Sequence, residues 1–313
     1  MYFLKNIFNG ILIGIANVIP GLSGATIALV LGVYEKLINS ISSIKKKSLV
    51  KLINFSQLNL KKDEKDLTIN FLLPITIGIV LSALLFAQAL EYFELLEKNK
   101  EFTLSYFFGL ILASISIIIQ MIPKWENKYL FYFFIGTILA ITIAITPGIQ
   151  QENNNLLFIF FCGIIGVVGM IVPGLSGSYL LLILGNYNLL VKDSINKFHT
   201  DLDSLTYLTV FILGMGFGII TLAKIISWLF KNFREKTLAI IAGFVFGSLV
   251  FIWPIRQPNP TAYLEVICPI KDEIIMNGNV YYYIKNNFHL LFFILIGFFS
   301  LIAIEYFSRK KNV

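Results

Sequence analysis

Ile19-Pro20-Gly21-Leu22-Ser23-Gly24 occurs a second time as Val172-Pro173-Gly174-Leu175-Ser176-Gly177. A shift of 153 positions lays residues 10–34 on residues 163–187 without a gap, and 11 of the 25 pairs are identical. Both copies lie inside long apolar runs. Proline removes a backbone donor, disfavours helix in the residue before it, and is preorganised to open a new helix. The flanking glycines permit unusual dihedrals and close approach. Each copy therefore reads as a helix, a break and a second helix, which in the first copy runs to about Tyr34. Broken backbone at membrane depth is tolerated only where protein or an aqueous cavity surrounds it.

Composition supplies the membrane. Hydrophobic residues make up 57% of the 313 and charged residues 14%, with a mean hydropathy of +0.80. Soluble domains hold about 45–50% apolar and about 25% charged residues. A polytopic membrane protein is expected. The net charge of +7 is not a nucleic-acid footprint, because the lysines gather in loops beside apolar spans. The first apolar run carries no small-residue cleavage pattern and reads as a retained segment. Cys162 falls in an apolar span and Cys268 in a polar loop, which favours neither a disulfide nor a metal site.

Outward from the first motif, residues 35–70 form a basic loop with eight lysines. Within it, residues 48–55 place Leu49, Leu52 and Ile53 on one helical face, so a surface helix and a solvated loop are both open. Apolar spans follow at 71–90, 102–122 and 129–146. The second half repeats the order: motif two within 156–190, then spans at 207–230, 237–253 and 289–307. Gly243 and Ser248 answer Gly109 and Ser114, and Gly297 answers Gly136. An insertion at 256–287 reads as a small β-hairpin around Asn277-Gly278. The chain is one membrane domain, 1–313, of two repeats, 3–147 and 156–307.

Two topologies compete. If each motif is a re-entrant hairpin, each half crosses three times and the halves are inverted; if each motif spans, the halves run parallel. With Lys224 set aside, the re-entrant arrangement puts 17 Lys and Arg inside and 7 outside, and the spanning arrangement 15 and 9. The positive-inside rule favours the first. The expected fold is an all-α polytopic membrane protein of two inverted repeats, each a re-entrant broken-helix hairpin plus three transmembrane helices. Both termini and the 35–70 loop are then cytoplasmic, and the insertion extracytoplasmic.

The second helix of each hairpin starts with unpaired N–H groups and a positive dipole end. Ser23, Thr26, Ser176 and Ser178 add hydroxyls. Two such ends meeting near the midplane make a composite anion site, with Pro20, Gly21, Gly24, Pro173, Gly174 and Gly177 shaping the breaks. Lys224 lies inside the 207–230 span, where a cation costs about 2.5–3.5 kcal/mol unless paired or snorkelling; it either serves the site or snorkels. Glu35 carries a coupling proton, pairs with a lysine, or is interfacial. Asn17 faces Met170 across the repeat, so any role of its amide belongs to one half. No apposed histidines, no carboxylate cluster and no Ser–His arrangement suggest an enzyme, and no cofactor or metal is implied.

The stretches Asn17–Glu35 and Met170–Tyr187 resemble the paired signatures of the prokaryotic polyprenyl-phosphate (undecaprenyl-phosphate) transporter family, and the resemblance covers nearly the whole chain. Ala25 departs from it, because the family usually has a second Gly after Ser-Gly. The resemblance implies a flippase in a bacterial or archaeal cytoplasmic membrane that returns the lipid carrier phosphate to the inner leaflet for cell-wall synthesis. Its partners are that lipid, the surrounding membrane lipids and a coupling proton or sodium ion. The alternative from the residues alone is a secondary transporter or channel for a small anion.

Overall fold

The computed structural model describes residues 2–18, 23–43, 68–92, 100–149, 151–197, 199–252 and 288–310. Pro20 and Gly21, the 48–55 face, most of the basic loop and the 256–287 insertion lie outside the described residues. Within them, all regular structure is helical: α1 (Tyr2–Val18), α2 (Gly24–Val30), α3 (Tyr34–Ser42), α4 (Leu73–Tyr92, entered through a π turn at Thr68–Leu72), α5 (Lys100–Gln120), α6 (Asn127–Ile145), α7 (Leu156–Ile171), α8 (Gly177–Ile183), α9 (Ser194–Lys197, after a π turn at Asn188–Asp193), α10 (Leu202–Ser248) and α11 (Phe288–Lys310). Four helices, α5, α6, α10 and α11, are long and apolar enough to cross a bilayer on that count, and the α2–α3 pair together makes a bent fifth candidate. The chain is a multi-pass membrane protein.

Helix starts follow local chemistry. Asn155 accepts the N–H groups of Leu157 and Phe158 to open α7. Asp201 opens α10 by accepting the Ser204 N–H and hydroxyl, and that hydroxyl, first among the causes, holds its carboxyl below the usual carboxylate range.

The two motif stretches end alike. Gly32 has φ +69° and Gly185 φ +77°. The Gly32 N–H reaches Leu29 O and the Val33 N–H reaches Ala28 O; the Gly185 and Asn186 N–H groups reach Leu182 O and Leu181 O in the same pattern. This is a Schellman cap, which needs a left-handed residue and so selects glycine. It corrects two expectations. The second helix of the first motif stops at Val30 rather than near Tyr34, and the polar stretch after it opens as helix α3, bent 114° from α2.

The expectation of separate spans at 207–230 and 237–253 agrees with α10, which is two helices meeting at a kink, where Phe233 alone leaves the helical region (φ −141°, ψ 44°). Residues 231–236 contain neither glycine nor proline, so one dihedral pair absorbs the turn. The helix ends at Ser248, followed by a 3-10 turn through Ile252.

Packing is by backbone approach at glycine. On α1 and α4, Gly10 lies against Ile75 and Gly78 against Ile7 and Ile11; on α7 and α10, Gly163 lies against Phe211 and Gly214 against Phe160. Gly109 of α5 meets Ile294 of α11, and Gly297 returns the contact on Tyr106; Gly243 of α10 meets Phe133 of α6, and Gly136 returns it on Ile240. Lipid-facing surfaces carry Phe131, Phe134, Phe217, Phe292 and Phe299. The spans are unequal: 67% of the apolar window of α5 is buried, against 17% for α11. α5 is thus the central helix and α11 a peripheral one.

Candidate functional site

At the second break, α7 stops at Ile171 and Val172 turns extended (φ −80°, ψ 120°). Gly174 takes φ +88°, and Ser176 is extended before α8 begins. A β-carbon on Gly174 would stand 3.0 Å from Val245 Cα, so the position needs glycine twice over. The backbone polar groups freed here find partners in the first copy. The Gly174 N–H donates to Thr26 Oγ1 at 3.1 Å, and the Tyr34 hydroxyl donates to Ile171 O at 2.9 Å. Thr26 and Tyr34 are each 1% exposed, so these bonds form in a dry interior where an unmet polar group is costly.

The first break is built differently. Asn17 Oδ1 accepts the Gly24 N–H at 2.9 Å, bridging α1 and α2, and a β-carbon on Gly24 would strike the Asn17 amide. Met170 stands in the equivalent place on α7 and supplies no such bond. There the backbones approach directly, with Gly169 against Gly177. Ser23 adopts φ −105°, ψ 129°, close to the −110° and 124° of Ser176. Their hydroxyls differ. Ser23 is 3% exposed and its Oγ has no hydrogen-bond partner among the described residues. Ser176 Oγ lies 2.8 Å from Ser178 Oγ, and Ser178 is exposed.

A cavity of about 400 Å³ opens against the second break. Val172, Pro173 and Tyr34 form one wall, Tyr132 of α6 another, and α10 closes it with Ile226, Leu229, Phe233, Lys236 and Thr237. Arg234, beside the α10 kink, donates from Nε to Glu35 Oε1 at 2.9 Å and pairs through a second nitrogen at 2.9 Å. One turn further along α3, Asn39 Oδ1 accepts the Ser227 hydroxyl at 2.6 Å, and Tyr34 stacks edge-on against Phe230. Helix α3 is thereby clamped to α10 on both sides of Phe233.

The structure brings Thr26, Pro173 and Gly174 together, and sets Ser23, Gly24 and Asn17 at the first break. Ser176, Gly177 and Ser178 start α8. Lys224 is exposed on α10 and is not among the cavity's lining residues. Glu35 is paired, with arginine rather than lysine. Sequence reasoning missed Tyr34, Arg234 and Lys236. Tyr34 was signalled by its recurrence as Tyr187. The two cations were not, because a charge between two apolar spans reads as a loop residue, whereas here the helices meet directly at a kink and Arg234 and Lys236 sit just past it.

Apolar helices broken at two matched motifs, with a largely apolar cavity beside the second break, define a membrane transport protein. The chain belongs to the VCA0040-like, undecaprenyl phosphate translocase-like family, whose profile matches residues 13–264. It is 31% identical over 257 residues to a polyprenyl-phosphate transporter of Vibrio cholerae serotype O1 (strain ATCC 39315 / El Tor Inaba N16961), covering 82% of this chain and 80% of that protein. It is 27% identical over 261 residues to a polyprenyl-phosphate transporter of Staphylococcus aureus (strain NCTC 8325 / PS 47), covering 80% and 86%. No solved structure matches the chain. The protein is a transporter and not an enzyme.

Proposed function

We propose that this chain carries polyprenyl phosphate, the undecaprenyl form in particular, from the outer to the inner leaflet of a prokaryotic cytoplasmic membrane by alternating access. The observation that carries the site assignment is the Thr26–Gly174 hydrogen bond: the two copies touch, so they can serve one ligand. The phosphate head group, with about −1.5 to −2 charges, meets the breaks while the polyprenyl tail stays in lipid. Ser23 Oγ is a buried hydroxyl waiting for an acceptor. The two halves are inverted repeats. Two features support this. Helices α2 and α8, at seven residues each, reach only about 10 Å and are too short to cross alone, and the 114° bend between α2 and α3 fits a re-entrant turn. The central span of each half also packs on the last span of the other, α5 on α11 and α10 on α6.

Glu35 is the coupling group. A proton taken up by its carboxylate removes the charge that holds Arg234, and α3 is then released from the α10 kink. Exchanging the pair tests this. Arg234→Glu places two carboxylates together and is expected to reduce transport about tenfold or more, while Glu35→Arg with Arg234→Glu restores a substantial part. A double variant no better than the single one would remove the ion pair from the mechanism.

The function itself is tested by depleting the protein in cells lacking other carrier recyclers and measuring outer-leaflet undecaprenyl phosphate with a head-group-binding probe. Accumulation is expected; an unchanged outer leaflet sinks the proposal. Ser23→Ala with Ser176→Ala is expected to lower transport about tenfold or more while the protein stays folded, since each hydroxyl bond to a charged acceptor contributes about 1.5–3 kcal/mol. Full transport by the double variant would take the hydroxyls out of the site. Topology is read by cysteine labelling: positions 6 and 46 on one side, with 154 on the other, fit the hairpin arrangement.

A further inference from the structure

We infer that the cavity at the α10 kink is a separate head-group station, in which Lys236 binds the phosphate of an isoprenoid monophosphate and the apolar walls take its first isoprene units. The inference rests on the transport reading above. Lys236 is the one charged residue lining the cavity. Its Nζ lies 5.5 Å from the Tyr132 ring centroid and 5.3 Å from that of Phe233. Two ring faces hold the ammonium in place by cation–π attraction but leave its N–H donors unspent.

Among the described residues, Lys236 has no carboxylate partner and the Tyr132 hydroxyl has no hydrogen-bond partner. Nearby donors are already used: Arg234 is committed to Glu35, and the hydroxyls of Tyr34 and Thr237 donate to Ile171 O and Phe233 O. Two available donors, on neighbouring walls of one cavity, thus present themselves to an anion. Val172, Ile226, Leu229 and Ile240 offer the rest of the surface. These side chains contribute nothing to a free phosphate ion, whereas a branched hydrocarbon attached to the phosphate buries area against them. The cavity's volume lies within the range usual for small-ligand sites. Because Pro173 lines the cavity, a head group leaving the second break enters it directly.

The test is farnesyl phosphate binding to the full chain in detergent micelles, with farnesol and inorganic phosphate as comparators. Lys236→Gln is expected to weaken farnesyl phosphate about tenfold or more and to leave farnesol unchanged, while Lys236→Arg stays within about threefold of the wild type. Lys197→Gln, at a surface pair, changes nothing. Wild-type affinity in Lys236→Gln, with binding lost in the Ser23→Ala/Ser176→Ala variant, would overturn this inference and leave the transport reading intact. Inorganic phosphate bound as tightly as farnesyl phosphate would sink both. Should Lys236→Gln fail to fold, Tyr132→Phe takes its place: a loss of about threefold for farnesyl phosphate with none for farnesol is expected, and equal affinities overturn the proposal.

Discussion

Gly243→Val is expected to leave little folded protein. A β-carbon at Gly243 would collide with Phe133 O, and the carbonyl belongs to helix α6 rather than to a flexible side chain. Relief requires moving one helix off the other. That loosens the return contact of Gly136 on Ile240 and the 3.0 Å bond from the Thr137 hydroxyl to Gly243 O. Overpacking of this kind costs about 1–3 kcal/mol or more, here at a contact that joins the two halves of the sequence. Gly216→Val is the control, because nothing lies within 4 Å of the β-carbon it adds. Thermal unfolding in detergent separates the two variants. If Gly243→Val melts with the wild type, the close packing of α6 on α10 is wrong.

Gly174→Asn is expected to reduce transport about tenfold or more in protein that still inserts. Asparagine tolerates a positive φ better than most residues, so the comparison isolates crowding. At Gly32, with φ +69°, an added β-carbon meets nothing within 4 Å, and Gly32→Asn is expected to transport nearly as well as the wild type. At Gly174 the same substitution meets the Val245 backbone, and relief displaces the N–H that donates to Thr26. The loss is expected to be about tenfold or more, from a strain of about 1–3 kcal/mol placed at the contact between copies. Equal transport by the two variants would show that the Thr26–Gly174 link is dispensable.

The helical membrane class and most of the spans were legible because apolar length and proline placement are local properties. The helix end carries a local mark, Leu-Gly at Leu31-Gly32 and again at Leu184-Gly185, but the apolar run continues through Val33 and Tyr34, so hydropathy alone carries the first helix past its cap. The inequality of the spans was not legible. α5 and α11 are similarly apolar, and what buries one and exposes the other is the set of neighbours each meets. The site divides in the same way. Ser23 and Gly174 were legible as candidates because the repeat marks them, whereas Thr26, opposite Tyr179, was legible only as a hydroxyl beside the break. Lys236 and Arg234 gained meaning only from a kink at Phe233, which no proline or glycine announces. Asn17 is the mixed case: its absence from the second copy pointed to an asymmetric role, and its bond to the Gly24 N–H shows that role to include holding the first break together.

The pairing of α5 with α11 also sets an order on biosynthesis. The glycine face of α5 around Gly109 leaves the ribosome long before residues 288–310, which cover it, have been made. Non-local contacts of this separation form late. The most enclosed of the four long apolar helices is therefore a lipid-exposed one in the nascent chain, and the 23-residue helix α11 closes over it. A chain cut before Phe288 would keep every motif residue and still present an unfinished helix surface to the quality-control proteases of the membrane.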